Sequence, residues 1–165
     1  AASDVYKRQV LARAIKNLYP NAKLAIGPTI ENGFYYDFLS DERVSVDDLP
    51  KIEKEMQKIV NEKSDIIKTI HSKKEAIKNF DDIKEDYKVK IIEESDQEDN
   101  FQLYNQGNTG FIDLCRGPHL PSLEKVGAFK LTKIAGAYWK GDSKNEMLSR
   151  IMVLPGKMKK IKKNI

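Results

Sequence analysis

Cysteine is nearly absent: Cys115 is the one cysteine in 165 residues. An internal disulfide is therefore excluded, the core has to hold the fold, and a reducing, cytoplasmic setting is expected. Long apolar runs are lacking too. No stretch approaches the roughly 18 apolar residues that a membrane-spanning helix needs. The N-terminus has no apolar core of the secretory type, so neither a leader nor a membrane contact is expected. Histidine is scarce, with only His71 and His119. Phosphate-cradling glycine patterns of the Walker or Rossmann kind do not occur, and no internal repeat is visible.

The chain does have enough apolar material for a core. It is 40% hydrophobic and 33% charged, which fits one domain or a domain with an appendage. The net charge is +4, but it is unevenly spread. Residues 151–165 carry five lysines and no acid, and residues 1–150 sum to −1. Residues 31–100 hold 20 acids against 12 bases, residues 101–150 only 4 acids against 7 bases. A polyanion is therefore expected to meet the first 30 residues and the last third, not the acidic middle.

Patterning predicts short, interspersed helices and strands. Val10, Leu11, Ala14, Ile15 and Leu18 recur at helical spacing, and Tyr19-Pro20 ends that helix. Leu24 to Ile26 and Phe34 to Phe38 read as strands with Glu31-Asn32-Gly33 as the turn between them. Ser45 with Asp48 and Ser72 with Glu75 resemble capping boxes. The first opens an amphipathic helix through Leu49, Ile52, Met56 and Ile59 to about Lys63, the second a short helix to about Phe80. Ile66 to Ile70, Val89 to Ile92, Phe101 to Tyr104, Gly110 to Leu114, Ala128 to Ile134 and Ala137 to Lys140 read as further strands. The acidic segment Glu93 to Asn100 reads as a surface loop. Hairpin-type connections favour an α+β fold with antiparallel sheet packed against helices over a doubly wound one.

The densest chemistry lies in Asp113-Leu114-Cys115-Arg116-Gly117-Pro118-His119. Cysteine and histidine four apart can converge on one small ligand or reacting centre. Two ligands do not make a zinc site, and a buried structural cysteine beside a loop histidine accounts for the same pattern. His71 reads as a solvated loop histidine and Lys88 as a surface lysine at a strand start.

Together with Leu18-Tyr19-Pro20, Ala25-Ile26-Gly27-Pro28, Asn32-Gly33-Phe34-Tyr35-Tyr36-Asp37 and Ala135-Gly136-Ala137-Tyr138-Trp139-Lys140-Gly141-Asp142-Ser143, this run resembles the editing (second additional) domain of the threonyl/alanyl-tRNA synthetase family, in its threonyl form. The resemblance covers about Val10 to Ile151. It implies a fragment of an aminoacyl-tRNA ligase, an enzyme of protein biosynthesis, whose editing domain hydrolyses mischarged seryl-tRNA. ATP and Mg would belong only to a separate catalytic domain, and no cofactor is expected for this stretch; zinc at the Cys115/His119 loop is the weaker alternative. The expected partners are the aminoacylated 3′ end of tRNA and the rest of the synthetase. The resemblance further implies that His119, Cys115 and Lys88 serve the hydrolysis. Asp113 would bind the substrate's amino group, Tyr36 would lie near the substrate, and Gly27 and Pro28 would form a close-approach wall.

The sequence departs from the family at both ends. The family's His-x-x-x-His pair falls on Val5 and Gln9, so hydrolysis is expected to be severely impaired and a catalytically inactive tRNA-binding remnant is the competing reading. Residues 1–9 are expected to be a non-native segment, the first helix to start late and fray, and the domain to span 10–151. Beyond it, 152–165 is expected to be a basic tail. Reading from the last base of the Ile151 codon, one permitted set of codons, chosen to fit, translates as the family's Tyr-Gly-Thr-Ala-Trp-Lys-Asp-Glu, so a frameshift is the expected origin of the tail. A plain solvated segment or an RNA-binding arm are its alternatives.

Overall fold

The computed structural model describes residues 2–114 and 129–155, with side chains for 6–114 and 130–154. In chain order the elements are α1 (Ala2–Leu18), β1 (Lys23–Leu24), β2 (Thr29–Ile30), β3 (Gly33–Leu39), α2 (Leu49–Asn61), β4 (Ile66–His71), α3 (Lys73–Asp82), α4 (Asp86–Glu93), β5 (Phe101–Gln106), β6 (Ile112–Leu114), β7 (Phe129–Tyr138) and β8 (Met147–Pro155). All strand pairs are antiparallel. One sheet runs β1-β3-β8-β7 with β2 also on β3, the other β4-β5-β6. The fold is α+β.

Local chemistry sets several boundaries. The Ser72 hydroxyl accepts the Glu75 N–H at 3.2 Å and starts α3. The Ser45 N–H donates to the Asp48 carboxylate at 2.8 Å, ahead of α2. Leu49, Ile52, Met56 and Ile59 form the buried stripe of α2. It packs with α1 and the inner face of the first sheet into one core that includes Phe34, Phe38, Leu131 and Ile151. A second core joins α3, α4 and the smaller sheet through Phe80, Ile92, Phe101 and Leu103.

Several expectations change, among them that of a surface lysine at 88, which is 1% exposed and helical. Residues 89–92 are helical, not a strand. Lys88 and Ile92, four apart, are both buried, so this β-branched run turns one face inward as α4. Helix α1 begins at Ala2 and does not start late. Tyr6 is fully buried, and from Tyr6 to Ile15 every residue but Arg8 is buried. A helix buried on nearly all sides lies between layers. β3 and α2 flank α1, and the Gln106 side chain of β5 donates to the Gln9 carbonyl at 3.0 Å. The boundary at 151 falls inside β8, which continues to Pro155. Met152 pairs with Tyr35 and Val153 with Phe34, and Val153 is 1% exposed. Finally, β7 is one strand through Gly136. A Cβ at that glycine would lie 2.7 Å from the Met147 sulfur, so its small size lets β8 pass.

Candidate functional site

Where the two cores meet, α1, β3, α4, β5, β6 and the turn after β7 enclose a cavity of about 860 Å³. Exposure grades from floor to mouth. Gln9 of α1, Tyr36 of β3, Lys88 of α4 and Asp113 of β6 line it and are each at most 5% exposed. At the mouth, Glu94 and Lys140 form an ion pair at 2.6 Å with side chains about half exposed.

The floor is built by packing of distant segments. Glu85, 2% exposed, accepts the Leu24 N–H at 2.9 Å and pairs with Lys16 at 2.6 Å. It thereby ties the start of α4 to α1 and β1, and the next turn aims Lys88 inward. Asp113 lies opposite Tyr104 in the second sheet. Its Oδ1 accepts both the Lys88 ammonium at 3.0 Å and the Leu114 N–H at 2.8 Å. The side chains of this ion pair are 2% and 7% exposed. Removing two charges from water is costly and is offset only by close pairing and hydrogen bonds. The pair thus lines the cavity as two closely paired, desolvated charges.

Two polar side chains at the floor are not partnered in this way. Neither amide atom of Gln9 nor the Tyr36 hydroxyl has a hydrogen-bond partner among the described residues. Burial pushes the Tyr36 phenol well above its ordinary 10.0, and the Asp113 charge adds to the rise. Tyr87 rises to about 12, again by burial first and then by the Glu146 charge. A raised phenol pKa favours the protonated, folded form. Stability from these two tyrosines is therefore complete below pH 10 and lost as pH climbs from about 10 through the folded values. Thermal midpoints measured between pH 9 and 12 are expected to fall above pH 10, and less steeply in Tyr36→Phe. Identical slopes would show that Tyr36 is not shielded.

Arg8 lines the cavity beside Gln9 and is held by the Gly27 carbonyl at 3.3 Å and the Thr29 hydroxyl at 2.6 Å, over the Phe34 ring. Gly27 and Pro28 are not lining residues; Ile26 is. A Cβ on Gly27 would stand 2.3 Å from the Tyr35 carbonyl oxygen, and the Pro28 carbonyl accepts the Tyr35 N–H at 2.8 Å. They fix the wall against β3 from behind. At the mouth, Trp139 packs on Tyr87 with ring centroids 4.7 Å apart. Glu94, Ser95, Gln97 and Asn100, from the segment read as a surface loop, also line the opening.

The structure thus brings Tyr36, Lys88 and Asp113 together. Cys115 and His119 lie outside the described residues. His71 is elsewhere, at the end of β4, with its ring between Glu75 at 3.2 Å and Thr69 at 2.8 Å. Among the described residues no group of three or more His, Cys, Asp or Glu could hold a metal ion, and no helix is long and apolar enough to cross a membrane. Sequence reasoning does not single out Arg8, and it names Gln9 only as the position where the family's second histidine falls. The signal for Gln9 is that alignment together with its place beside the apolar face that starts at Val10. Val5 is in α1, four residues before Gln9.

Residues 102–152 match the family described as the threonyl and alanyl tRNA synthetase second additional domain. The threonine–tRNA ligase of Wolbachia pipientis subsp. Culex pipiens is 50% identical over 142 residues, 86% of this chain and 22% of that protein. That of Burkholderia lata is 52% identical over 142 residues, with the same coverage of both chains. That of Acetivibrio thermocellus is 50% identical over 151 residues, 90% of this chain and 24% of that protein. The chain spans about a fifth of the length of the curated relatives it matches. Its motifs, its antiparallel α+β fold and these matches agree: residues 102–152 belong to the threonyl and alanyl tRNA synthetase second additional domain, and the relatives the chain matches are threonine–tRNA ligases.

Proposed function

We propose that the cavity is an editing site that takes the aminoacylated 3′ end of tRNA and hydrolyses the ester of wrongly attached serine, slowly in this sequence. The observation that carries the reading is the buried Lys88–Asp113 pair lining a cavity that also holds the Tyr36 hydroxyl. Its volume, about 860 Å³, suits an amino acid joined to a nucleoside better than an amino acid alone. Serine lacks one methyl of threonine, and a site built for the larger group excludes the smaller by only about 1–3 kcal/mol. A second site that admits serine and rejects the extra methyl supplies the missing discrimination.

The described residues fit these tasks. A carboxylate offers about four acceptor positions, so Asp113 can keep Lys88 and still receive the substrate's ammonium group. The Lys88 ammonium lies where it can stabilise negative charge developing on the ester oxygen during attack by water. The Trp139 ring and the amides of Gln97, Asn100 and Gln102 at the mouth suit the terminal adenosine, since single-stranded RNA ends are held by stacking and edge hydrogen bonds. His119 and Cys115 would join the hydrolysis by family resemblance.

Gln9 favours a second reading, binding with little turnover. A carboxamide can orient a water but cannot accept its proton at neutral pH, so the usual contribution of a general base is missing at that position. Deacylation of seryl- and threonyl-tRNA(Thr) at excess protein separates the readings. Serine release above the spontaneous rate, with threonine release at background and both at background in Asp113→Asn, supports slow editing. Tight tRNA binding with no release above background supports the remnant.

A further inference from the structure

Gln9 and Tyr36 are the buried polar groups of the cavity floor that the ion pair does not use. Gln9 is 1% exposed and Tyr36 2% exposed. The carboxamide oxygen and nitrogen of Gln9 and the phenol oxygen of Tyr36 all lack a hydrogen-bond partner among the described residues, and both side chains line the cavity. Leaving such groups unsatisfied is destabilising, so a fold that keeps them aimed into a cavity keeps them for a ligand. Both are neutral, because the amide does not titrate and burial holds the phenol in its protonated form.

Resting on the reading of the cavity as an aminoacyl-ester site, we infer that Gln9 and Tyr36 form a neutral subsite that reads the side-chain hydroxyl of the bound amino acid. The assignment follows from matching charge to charge. The ammonium group of a seryl ester goes to the Asp113 carboxylate, and the ester oxygen that gains negative charge goes to Lys88. What remains is an uncharged hydroxyl that needs one donor and one acceptor. The Gln9 amide offers both on adjacent atoms, and the Tyr36 phenol adds a second donor. In this chain position 9 therefore selects the ligand instead of activating water.

The test uses adenosine carrying a seryl or an alanyl group through a 3′-amide, which cannot be hydrolysed as an ester, titrated calorimetrically into the full chain and into Gln9→Met. The wild type is expected to bind the seryl probe about tenfold more tightly than the alanyl one, the worth of one net hydrogen bond. In Gln9→Met the seryl affinity should fall to the alanyl level while the alanyl affinity stays put. The free variant should melt at the same temperature as wild type or higher, because a buried unpartnered amide has been removed; a purely structural glutamine would lower it. If Gln9→Met does not fold, loss of the seryl preference in Tyr36→Phe carries the same information. Equal affinities of the two probes for the wild type, or a seryl preference surviving in Gln9→Met, would overturn the subsite alone. Failure of both probes to bind the wild type would overturn the aminoacyl-ester reading, and the subsite with it.

Discussion

Lys88→Met is expected to lower the folding free energy by about 3–5 kcal/mol, because it leaves the Asp113 carboxylate buried without its counter-charge. The wild-type pair is 3.0 Å apart with side chains 2% and 7% exposed, so water cannot replace the lost ammonium. Asp113→Leu should cost a similar amount for the mirror reason, an uncompensated ammonium. The double variant Lys88→Met/Asp113→Leu should recover most of the loss, since apolar side chains of similar volume often replace a buried ion pair at little cost. Urea denaturation of the four proteins at pH 7 measures the pattern. Strong non-additivity is the expected result. Small, additive losses would mean that the pair is solvated and does not organise the cavity floor. The double variant has a second use: it should be folded yet unable to take the aminoacyl group, which separates stability from function at one site.

Val5→His/Gln9→His is expected to raise seryl-tRNA hydrolysis by about 10²–10⁴-fold, the usual contribution of a positioned general base. Position 9 lines the cavity beside Lys88 and Asp113, and position 5 is one helical turn earlier on α1. A neutral imidazole there can take a proton from water, which the amide cannot. Single-turnover rates between pH 5 and 8 should therefore gain a titration limb that the wild type lacks. A rate and pH profile unchanged from wild type would show that the helix does not present position 9 to the reacting centre.

Much of the fold was readable from local chemistry, and the misreadings have particular causes. The capping serines Ser45 and Ser72 and the stripe Leu49-Ile52-Met56-Ile59 act within one turn of helix, so spacing reveals them. The Asn32-Gly33 turn is equally local. Gly33 has φ +152°, and a Cβ there would meet the Val153 carbonyl oxygen at 2.1 Å. Residues 89–92 misled because β-branched side chains favour strands, whereas tertiary burial of Tyr87, Lys88 and Ile92 decides for helix. The end of β8 was hidden because nothing in Met152-Val153-Leu154 announces that β3 and β7 wait on either side. For the site, Tyr36, Lys88 and Asp113 lie on β3, α4 and β6, far apart in the chain, and only the family resemblance joined them in advance. Gln9 was legible only as the place of an absent histidine, because nothing local in residues 1–9 announces that Gln9 and Tyr6 are buried.

The most direct test of the editing account is the affinity of the chain for seryl- against threonyl-adenosine, each joined through a 3′-amide. One extra methyl is the whole difference between the probes. The account predicts that the seryl probe binds at least about tenfold more tightly, at the lower end of what a single methylene decides in a fitted pocket. It also predicts that Asp113→Asn abolishes binding of both. Equal affinities, or tighter binding of the threonyl probe, would contradict it.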